Sequence, residues 1–228
     1  DENNLYFYKI FKMRLAFLEK LEKNKIFINE LKEFTNKFPR EFEMKRILGD
    51  KYRKLKNYEK AIVVYSQLIE NDKLEGTPNI LYSRGISYEQ IKNWEKAEQD
   101  FKRSLNLNPN DPYVMNYLAY SWLDRKMNID KALELLKKAV DLEPSDGYIR
   151  DSLGWAYFLS KKFEESVYHL EKAVVMLPND ATLNDHLGDA YWMSNRKSEA
   201  LSQWKKVLVI DPDYTDKNLV QKKLNKGL

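Results

Sequence analysis

The side chains best suited to chemistry in this sequence are two histidines and their acidic neighbours. The chain has 228 residues, two histidines and no cysteine. His186 lies between Asp185 and Asp189 in the sequence, a spacing at which imidazole and carboxylate groups on one helix face can share a metal ion. Charged residues on helix surfaces produce the same spacing frequently. We therefore interpret these residues as helix surface and expect neither a metal nor a cofactor.

No other pattern in the sequence indicates an active site. The lack of cysteine excludes disulfides, thiol catalysis and cysteine-bound zinc. There is no glycine-rich phosphate loop, nucleophile elbow or HExxH helix. The simplest interpretation of the paired carboxylates Glu164 and Glu165 is that they are charged surface residues. The sequence thus predicts a protein that is not an enzyme. No apolar run approaches the roughly 18 residues that a transmembrane helix needs.

The charge pattern also narrows the possible partners. The formal net charge is only +4, from 39 basic and 35 acidic residues. This near balance argues against a dedicated nucleic-acid binder, and RNA recognition by helical repeats would need a basic groove. The two ends are basic, with net charges of +6 for residues 1–60 and +3 for residues 215–228, whereas residues 61–214 carry −5.

Prolines and glycines recur with a period near 34 residues. Four prolines are spaced by 35, 34 and 34 residues and end the similar phrases LNLNP, VDLEP, VVMLP and LVIDP. Four glycines precede such positions by a nearly constant interval. A period of this length predicts a repeat array. The prolines are Pro109, Pro144, Pro178 and Pro212, the glycines are Gly49, Gly85, Gly154 and Gly188, and the units are 42–75, 78–111, 112–146, 147–180 and 181–214.

Each unit shows two amphipathic segments, here called helices A and B. In helix A, positions 4, 7, 8 and 11 form one apolar face. Position 8 is glycine or alanine because a larger side chain would hold the two helices apart, and proline at position 32 ends helix B. Aspartates at 111, 146 and 180 lie near the start of the next helix, where the helix dipole favours negative charge. We expect twelve to thirteen helices in antiparallel pairs and no sheet.

The chain ends depart from this pattern. Residues 1–41 predict a degenerate, repeat-like pair of helices over 3–23 and 26–38, with Leu15 and Ala16 at positions 7 and 8. Residues 215–228 predict a terminal helix that shields the last repeat from solvent. Its apolar residues are expected to face that repeat and its lysines to face water. The apolar set is Leu219, Val220 and Leu224, and the lysines are Lys217, Lys222, Lys223 and Lys226.

The recurring positions resemble the tetratricopeptide repeat, whose pattern is W-x2-L-G-x2-Y…A-x3-F…P over 34 residues. The fifth unit shows the resemblance well, although no unit has tryptophan at position 4. The resemblance implies an all-α, right-handed α-solenoid of helix-turn-helix repeats and a non-enzymatic protein-interaction scaffold. The matching residues of that unit are Leu187, Gly188, Tyr191, Ala200, Trp204 and Pro212.

A narrower resemblance covers residues 80–212. The phrases NYLAYSW, DGYIRDSLGWAYF and NDHLGDAYW look like those of large proteobacterial repeat proteins, several of them cell-envelope lipoproteins or periplasmic proteins. This implies a bacterial source and a chain that is the C-terminal part of a longer protein. It also suggests the cell envelope as the location, with the cytoplasm as the alternative.

The resemblance places the binding surface on the concave side of the array, at helix A positions 2, 5, 9, 12 and 13. Aromatic anchors beside carboxylates are suited to recognition, although burial between neighbouring A helices could equally explain any single aromatic. We expect the groove to bind an apolar peptide segment of a partner protein that carries lysine or arginine. The predicted site residues are Tyr82, Tyr113, Asn116, Tyr120, Tyr148, Asp151, Trp155, Phe158, Asp185, Asp189 and Trp192.

Two function classes follow from these features. Chaperone adaptors of the family hold terminal carboxylates with lysine and asparagine at positions 5 and 9, a clamp that is absent here. The leading hypothesis is therefore an adaptor for a different kind of peptide. The alternative is an assembly module, in which residues 1–41 and the basic ends form a homo-oligomer or dock to the rest of a longer chain.

Overall fold

The computed structural model describes residues 2–70 and 77–228, with the backbone alone for residues 2–5. Within these ranges the chain forms thirteen α-helices and no strand, which confirms the all-α prediction. None of these helices is both long and apolar enough to cross a bilayer. The helices are α1 (Glu2–Lys20), α2 (Asn24–Lys37), α3 (Phe42–Lys54), α4 (Tyr58–Ile69), α5 (Thr77–Gln90), α6 (Trp94–Leu107), α7 (Pro112–Asp124), α8 (Ile129–Leu142), α9 (Gly147–Leu159), α10 (Phe163–Met176), α11 (Ala181–Met193), α12 (Lys197–Ile210) and α13 (Lys217–Lys226).

The helices form two compact units, residues 1–107 and 108–228. Helix pairs α3/α4 and α5/α6 pack within the first unit, and α7/α8, α9/α10 and α11/α12 pack within the second. Each pair is one helix A followed by its helix B, as expected for tandem helix-turn-helix repeats. Residues 71–75, which end the first predicted repeat, lie outside the described residues.

Close approach of helices A and B depends on the small residue at position 8. A Cβ atom added to Gly154 would lie 2.5 Å from Leu170 Cγ on the partner helix, well inside van der Waals contact. Three other repeats have the same arrangement with an aromatic ring of helix B over the glycine. The corresponding distances are 2.7 Å for Gly49 and Tyr65, 2.6 Å for Gly85 and Phe101, and 2.5 Å for Gly188 and Trp204.

The turn between helices A and B begins in the same way in all five repeats, and the third repeat adds a second left-handed residue, Asn128. One residue has left-handed backbone geometry, and the next N–H donates a hydrogen bond to a carbonyl oxygen near the end of helix A. In the fourth repeat Lys161 is left-handed (φ 59°), and the N–H of Lys162 lies 3.0 Å from the Tyr157 oxygen. This bonding satisfies carbonyl groups that a helix end leaves unpaired. The first left-handed residues of the five turns are Lys56, Lys92, Lys126, Lys161 and Asn195.

Aspartate side chains cap three of the A helices. Asp146 accepts hydrogen bonds from the N–H groups of Tyr148 and Ile149, each at 2.9 Å. Asp111 caps α7 and Asp180 caps α11 in the same way. The sequence placed these residues correctly, because an aspartate directly after the proline turn can accept from the first free amides of the next helix.

Helices α1 and α2 share the turn geometry of the repeats but not their close packing. Glu22 is left-handed, and the N–H of Lys23 donates to the Leu18 oxygen at 2.9 Å. Glu22 precedes Lys56 by 34 residues, which aligns Leu15 with position 8. Leu15 is buried and Ala16 is exposed, so the predicted register is wrong by one residue. The assignment of residues 1–41 to a degenerate repeat stays a prediction.

The terminal helix α13 was predicted with the wrong face toward the protein. Val220 is fully buried and Leu224 packs against the last repeat, but Leu219 is half exposed. Lys223, which was expected to face water, is buried. The reason is helical spacing, because residues 220, 223, 224 and 227 share one face of a helix whereas 219 does not.

Substitution of Gly154 by leucine tests the close approach of α9 and α10. We expect Gly154→Leu to lower the free energy of unfolding by about 1–3 kcal/mol or more, because the new side chain overlaps Leu170. Thermal unfolding followed by circular dichroism measures the effect. The control is Tyr148→Leu, which places leucine at an exposed position of the same helix. Equal melting temperatures for both variants would contradict the helix packing described here.

Candidate functional site

The second unit contains a groove lined by the A helices of its three repeats. Its volume is about 580 Å³, and tyrosine rings form much of its wall. Tyr113, Tyr120 and Tyr148 are 49%, 38% and 55% exposed, which is high for large aromatic side chains. The lining residues are Tyr113, Asn116, Tyr117 and Tyr120 from α7, Asp146, Tyr148, Ile149, Asp151 and Ser152 at α9, and Asp180, Thr182 and Leu183 at α11.

The groove brings together five of the predicted site residues: Tyr113, Asn116, Tyr120, Tyr148 and Asp151. The sequence reasoning missed Tyr117, because it considered only the positions that line the groove in the repeat family and Tyr117 is at position 6. The spacing of Tyr113, Tyr117 and Tyr120 is the sequence signal that could have indicated it, since tyrosines at successive turns of a helix lie on one face. All three are exposed on α7.

Asn116 is the polar group of the groove with an unused acceptor. Its side-chain oxygen is buried and has no hydrogen-bond partner among the described residues. A buried acceptor without a partner costs about 1–3 kcal/mol. A ligand that donates an N–H group to Asn116 would therefore gain a hydrogen bond that the free protein lacks.

Trp155 and Phe158 belong to an aromatic stack beside the groove. The Trp155 ring lies 4.8 Å from the ring of Phe158 and 4.3 Å from that of His186, nearly parallel to both. His186 Nδ1 lies 3.0 Å from Asp151 Oδ1, and both side chains are largely buried. This cluster joins α9 to α11, so these predicted site residues contribute first to the packing of two repeats.

The structure corrects the expected role of Asp185 and Asp189 as exposed groove carboxylates. Both are buried beneath α13. Lys223 Nζ lies 2.8 Å from Asp185 Oδ1 and 2.7 Å from Asp189 Oδ1, and Trp204 Nε1 donates to Asp189 at 3.0 Å. Their negative charge is therefore already paired within the chain while α13 is in place.

Trp192 and Tyr82, the other two predicted residues, are not among the residues that line the groove. Trp192 is partly buried, with its ring 5.5 Å from that of Trp204 and in contact with Gly227. Tyr82 belongs to the first unit, where its ring is 6.2 Å from that of Phe101. Neither residue lines the cavity formed by α7, α9 and α11.

Two histidines experience opposite electrostatic environments. Burial lowers the pKa of His186, but the charge and hydrogen bond of Asp151, together with Asp185 and Asp189, raise it above the usual value overall. Burial and nearby positive charge, mainly from Arg150, lower the pKa of His169 to about 4. The His169 ring stacks on Tyr157 at 5.3 Å. No group of three potential metal ligands occurs in the part of the chain that the structure describes.

The two histidine pKa values can be measured separately, because the chain has only two histidines. We expect NMR titration to show His186 titrating above pH 6.5, its approximate unfolded value, and His169 near pH 4. The contribution of protonated His186 to stability is then present below about pH 6.5 and is lost as the pH rises through its folded pKa. Asp151→Asn should lower the pKa of His186 and leave that of His169 unchanged. A His186 pKa below 6.5 in the parent chain would contradict the ion pair.

Models of the tetratricopeptide repeat match three stretches of the chain, residues 47–73, 78–111 and 123–181. Together these stretches cover more than half of the sequence, and they fall on helix pairs of the kind described above. The protein is thus a helix-turn-helix repeat protein. It belongs to the tetratricopeptide repeat family. A comparison with curated proteins found no match.

Solved structures with the same fold are similar over most of the chain. The Cut9–Hcn1 hetero-tetramer of the APC/C aligns with a TM-score of 0.79 at 17% identity, covering 94% of this chain and 41% of that one. MamA from Desulfovibrio magneticus RS-1 aligns with a TM-score of 0.65 at 22% identity, covering 76% and 97%. At these identities the likeness shows the fold. The family and fold support a role as a protein-interaction scaffold.

Proposed function

We propose that this protein is a non-enzymatic adaptor that binds a peptide segment of a partner protein in the tyrosine-lined groove of α7, α9 and α11. The observation that carries this proposal is the exposure of four tyrosines around a cavity that also holds an unpaired acceptor on Asn116. Exposed rings provide rigid contact area, and the acceptor can bind a peptide N–H group. No described residue of this groove forms a catalytic or metal-binding constellation.

The peptide that fits this groove has apolar side chains and at least one lysine or arginine. Apolar side chains fill the space between the rings, and a cation can lie over a tyrosine face or near the carboxylates of Asp146 and Asp180. The acidic character of residues 61–214 supports the same choice. Because Asp185 and Asp189 are paired with Lys223, we expect the cation contact at the tyrosine rings and at Asp146 and Asp180 instead.

Peptides selected from a random display library on the full chain test this proposal. We expect the selected sequences to combine apolar and basic residues and to bind Tyr120→Ala and Tyr148→Ala about 30-fold more weakly, as for a lost central anchor worth roughly 2 kcal/mol. Fluorescence anisotropy with a labelled selected peptide measures the affinities.

The matched control is Tyr168→Ala, because Tyr168 is 54% exposed, like Tyr148, but lies on a B helix. A peptide that ends in several carboxylates should compete poorly. Selected peptides that lose no affinity in the α7 and α9 variants, or that lose as much in Tyr168→Ala, would refute binding in this groove.

A second candidate function is assembly of two copies through α1. Four apolar residues of α1 and Leu21 directly after it, each 47% to 65% exposed, form a stripe that faces away from the buried Leu15 and Leu18. Their spacing of three and four residues is that of a helix-pairing seam. The stripe comprises Tyr6, Ile10, Met13, Phe17 and Leu21.

A second copy suits this stripe because the spacing is symmetric about the midpoint between residues 13 and 14. Two α1 helices in antiparallel orientation would place Tyr6 opposite Leu21 and Ile10 opposite Phe17. The buried area is on the order of 500 Å² per copy, below the roughly 800 Å² of a standard interface, so we expect a weak dimer.

Analytical ultracentrifugation of the full chain over a range of concentrations tests assembly. We expect concentration-dependent dimerisation that is abolished by Ile10→Glu or Phe17→Glu. The control is Val175→Glu, since Val175 is an exposed apolar residue on α10. A monomer at all concentrations, or a dimer that persists in both α1 variants, would rule out this interface.

A further inference from the structure

The contact between α13 and the last repeat is built around a buried cation. Lys223 is 4% exposed, and its Nζ lies within 2.9 Å of carboxylate oxygens of both Asp185 and Asp189. Trp204 completes the site, donating its indole N–H to Asp189 and placing its ring 5.8 Å from the lysine nitrogen. We call the surface formed by these three α11 and α12 residues the acidic cleft.

The acidic cleft is specific for a basic helix rather than for any apolar helix. Two carboxylates buried side by side repel each other and lose solvation, so an apolar side chain over them would leave both charges uncompensated. A lysine on the covering helix supplies the missing charge. Burial and the charge of Asp185 raise the pKa of Asp189, and the charge and hydrogen bond of Lys223 oppose this shift.

The remaining contacts of α13 define a short recognition pattern. Val220 is fully buried, Leu224 packs beside it, and Gly227 contacts the ring of Trp192 so closely that a Cβ atom would overlap it. Gly227 also has a φ of 79°, which favours glycine. The pattern along the helix begins with an apolar residue, Val220. Lys223 and the apolar Leu224 follow one turn later, and Gly227 follows after a further turn.

Several features make the contact of α13 reversible. The helix has only ten residues, and helices of that length are marginal on their own. Much of its surface, including Leu219 and Lys222, faces solvent. Its attachment therefore depends on a few side chains at a single charged site, which a competing helix could replace one for one.

We propose that the acidic cleft is a second binding site, which takes a lysine-bearing amphipathic helix of a partner protein, and that α13 occupies it in cis as a built-in competitor. A partner helix with the same pattern displaces α13 and releases the C-terminal residues. This site uses other side chains than the tyrosine-lined groove, so it does not depend on the peptide adaptor function proposed above.

A fluorescent peptide with the sequence of residues 214–228 serves as the probe, added to the full chain and to variants that loosen α13. Val220→Ala removes a buried contact of α13 without altering the cleft, and Lys223→Ala removes its cation. We expect both variants to bind the peptide at least tenfold more tightly than the parent chain, because the competitor in cis is weakened. Lys222→Ala, an exposed neighbour, is the matched control and should behave like the parent chain.

Two further measurements keep the proposal falsifiable if Lys223→Ala unfolds. The same peptide with alanine in place of Lys223 should bind no variant. Asp185→Asn combined with Val220→Ala should lose the tight binding. Tyr148→Ala should leave peptide binding unchanged, which separates this site from the groove.

Equal, weak binding of the peptide to the parent chain and to Val220→Ala would overturn the proposal. So would tight binding of the alanine peptide. A complex that contains two protein chains exchanging their α13 helices, seen by light scattering, would also overturn it, because the cleft would then be an interface between copies of this chain.

Discussion

The close approach of helix A to helix B in each repeat is the constraint on which the rest of the structure depends. At Gly154 there is no room even for a methyl group against Leu170, and three other repeats press an aromatic ring onto the equivalent glycine. Because A and B are held at this short distance, helix B covers one face of its A helix and leaves the opposite face available for other contacts. In the second unit three such faces meet and form the tyrosine-lined groove. The surface that we propose for binding is thus a geometric consequence of the close helix packing, and its chemistry is set by residues that the packing does not restrict.

The aspartates around this groove differ in their burial and in their partners. Asp111 and Asp146, at the starts of α7 and α9, accept backbone hydrogen bonds and are partly exposed. Asp151 on α9 and Asp185 on α11 are buried, and each is paired with a basic side chain, His186 for Asp151 and Lys223 for Asp185. Buried pairs of this kind contribute little net stability but strongly disfavour arrangements that leave one charge alone. They therefore fix which helix covers α11 and how α9 and α11 are aligned.

The sequence was sufficient for the features that depend on local spacing. The helix pairs, the packing role of Gly154 and the caps at Asp111 and Asp146 all follow from residue types at fixed intervals, and the structure confirms them. Gly147 lies outside the recurring glycine positions, yet a Cβ there would approach Leu177 to 2.8 Å. That contact joins residues from the two ends of one repeat, and no pattern of neighbouring residues in the sequence predicts it.

Long-range pairing limited the prediction of the site. The exposure expected for Asp185 and Asp189 was wrong because their partner Lys223 lies 38 and 34 residues away on a helix whose orientation local spacing does not give. One signal was available: Val220, Lys223 and Gly227 share a helical face, and a lysine between two such residues can be buried if an acidic surface lies opposite. Tyr113, Asn116 and Tyr120 of α7 were easier to predict, since they occupy positions 2, 5 and 9 of the repeat pattern.

The most direct test of the central claim, that the A-helix face of the second unit is the binding surface, is NMR chemical-shift mapping of the full chain with a selected peptide. We expect the largest shifts at Tyr113, Tyr120, Tyr148 and the side-chain amide of Asn116, with the B-helix residue Tyr168 unaffected. Shifts concentrated on B helices or on α1, with the groove tyrosines unchanged, would contradict the claim.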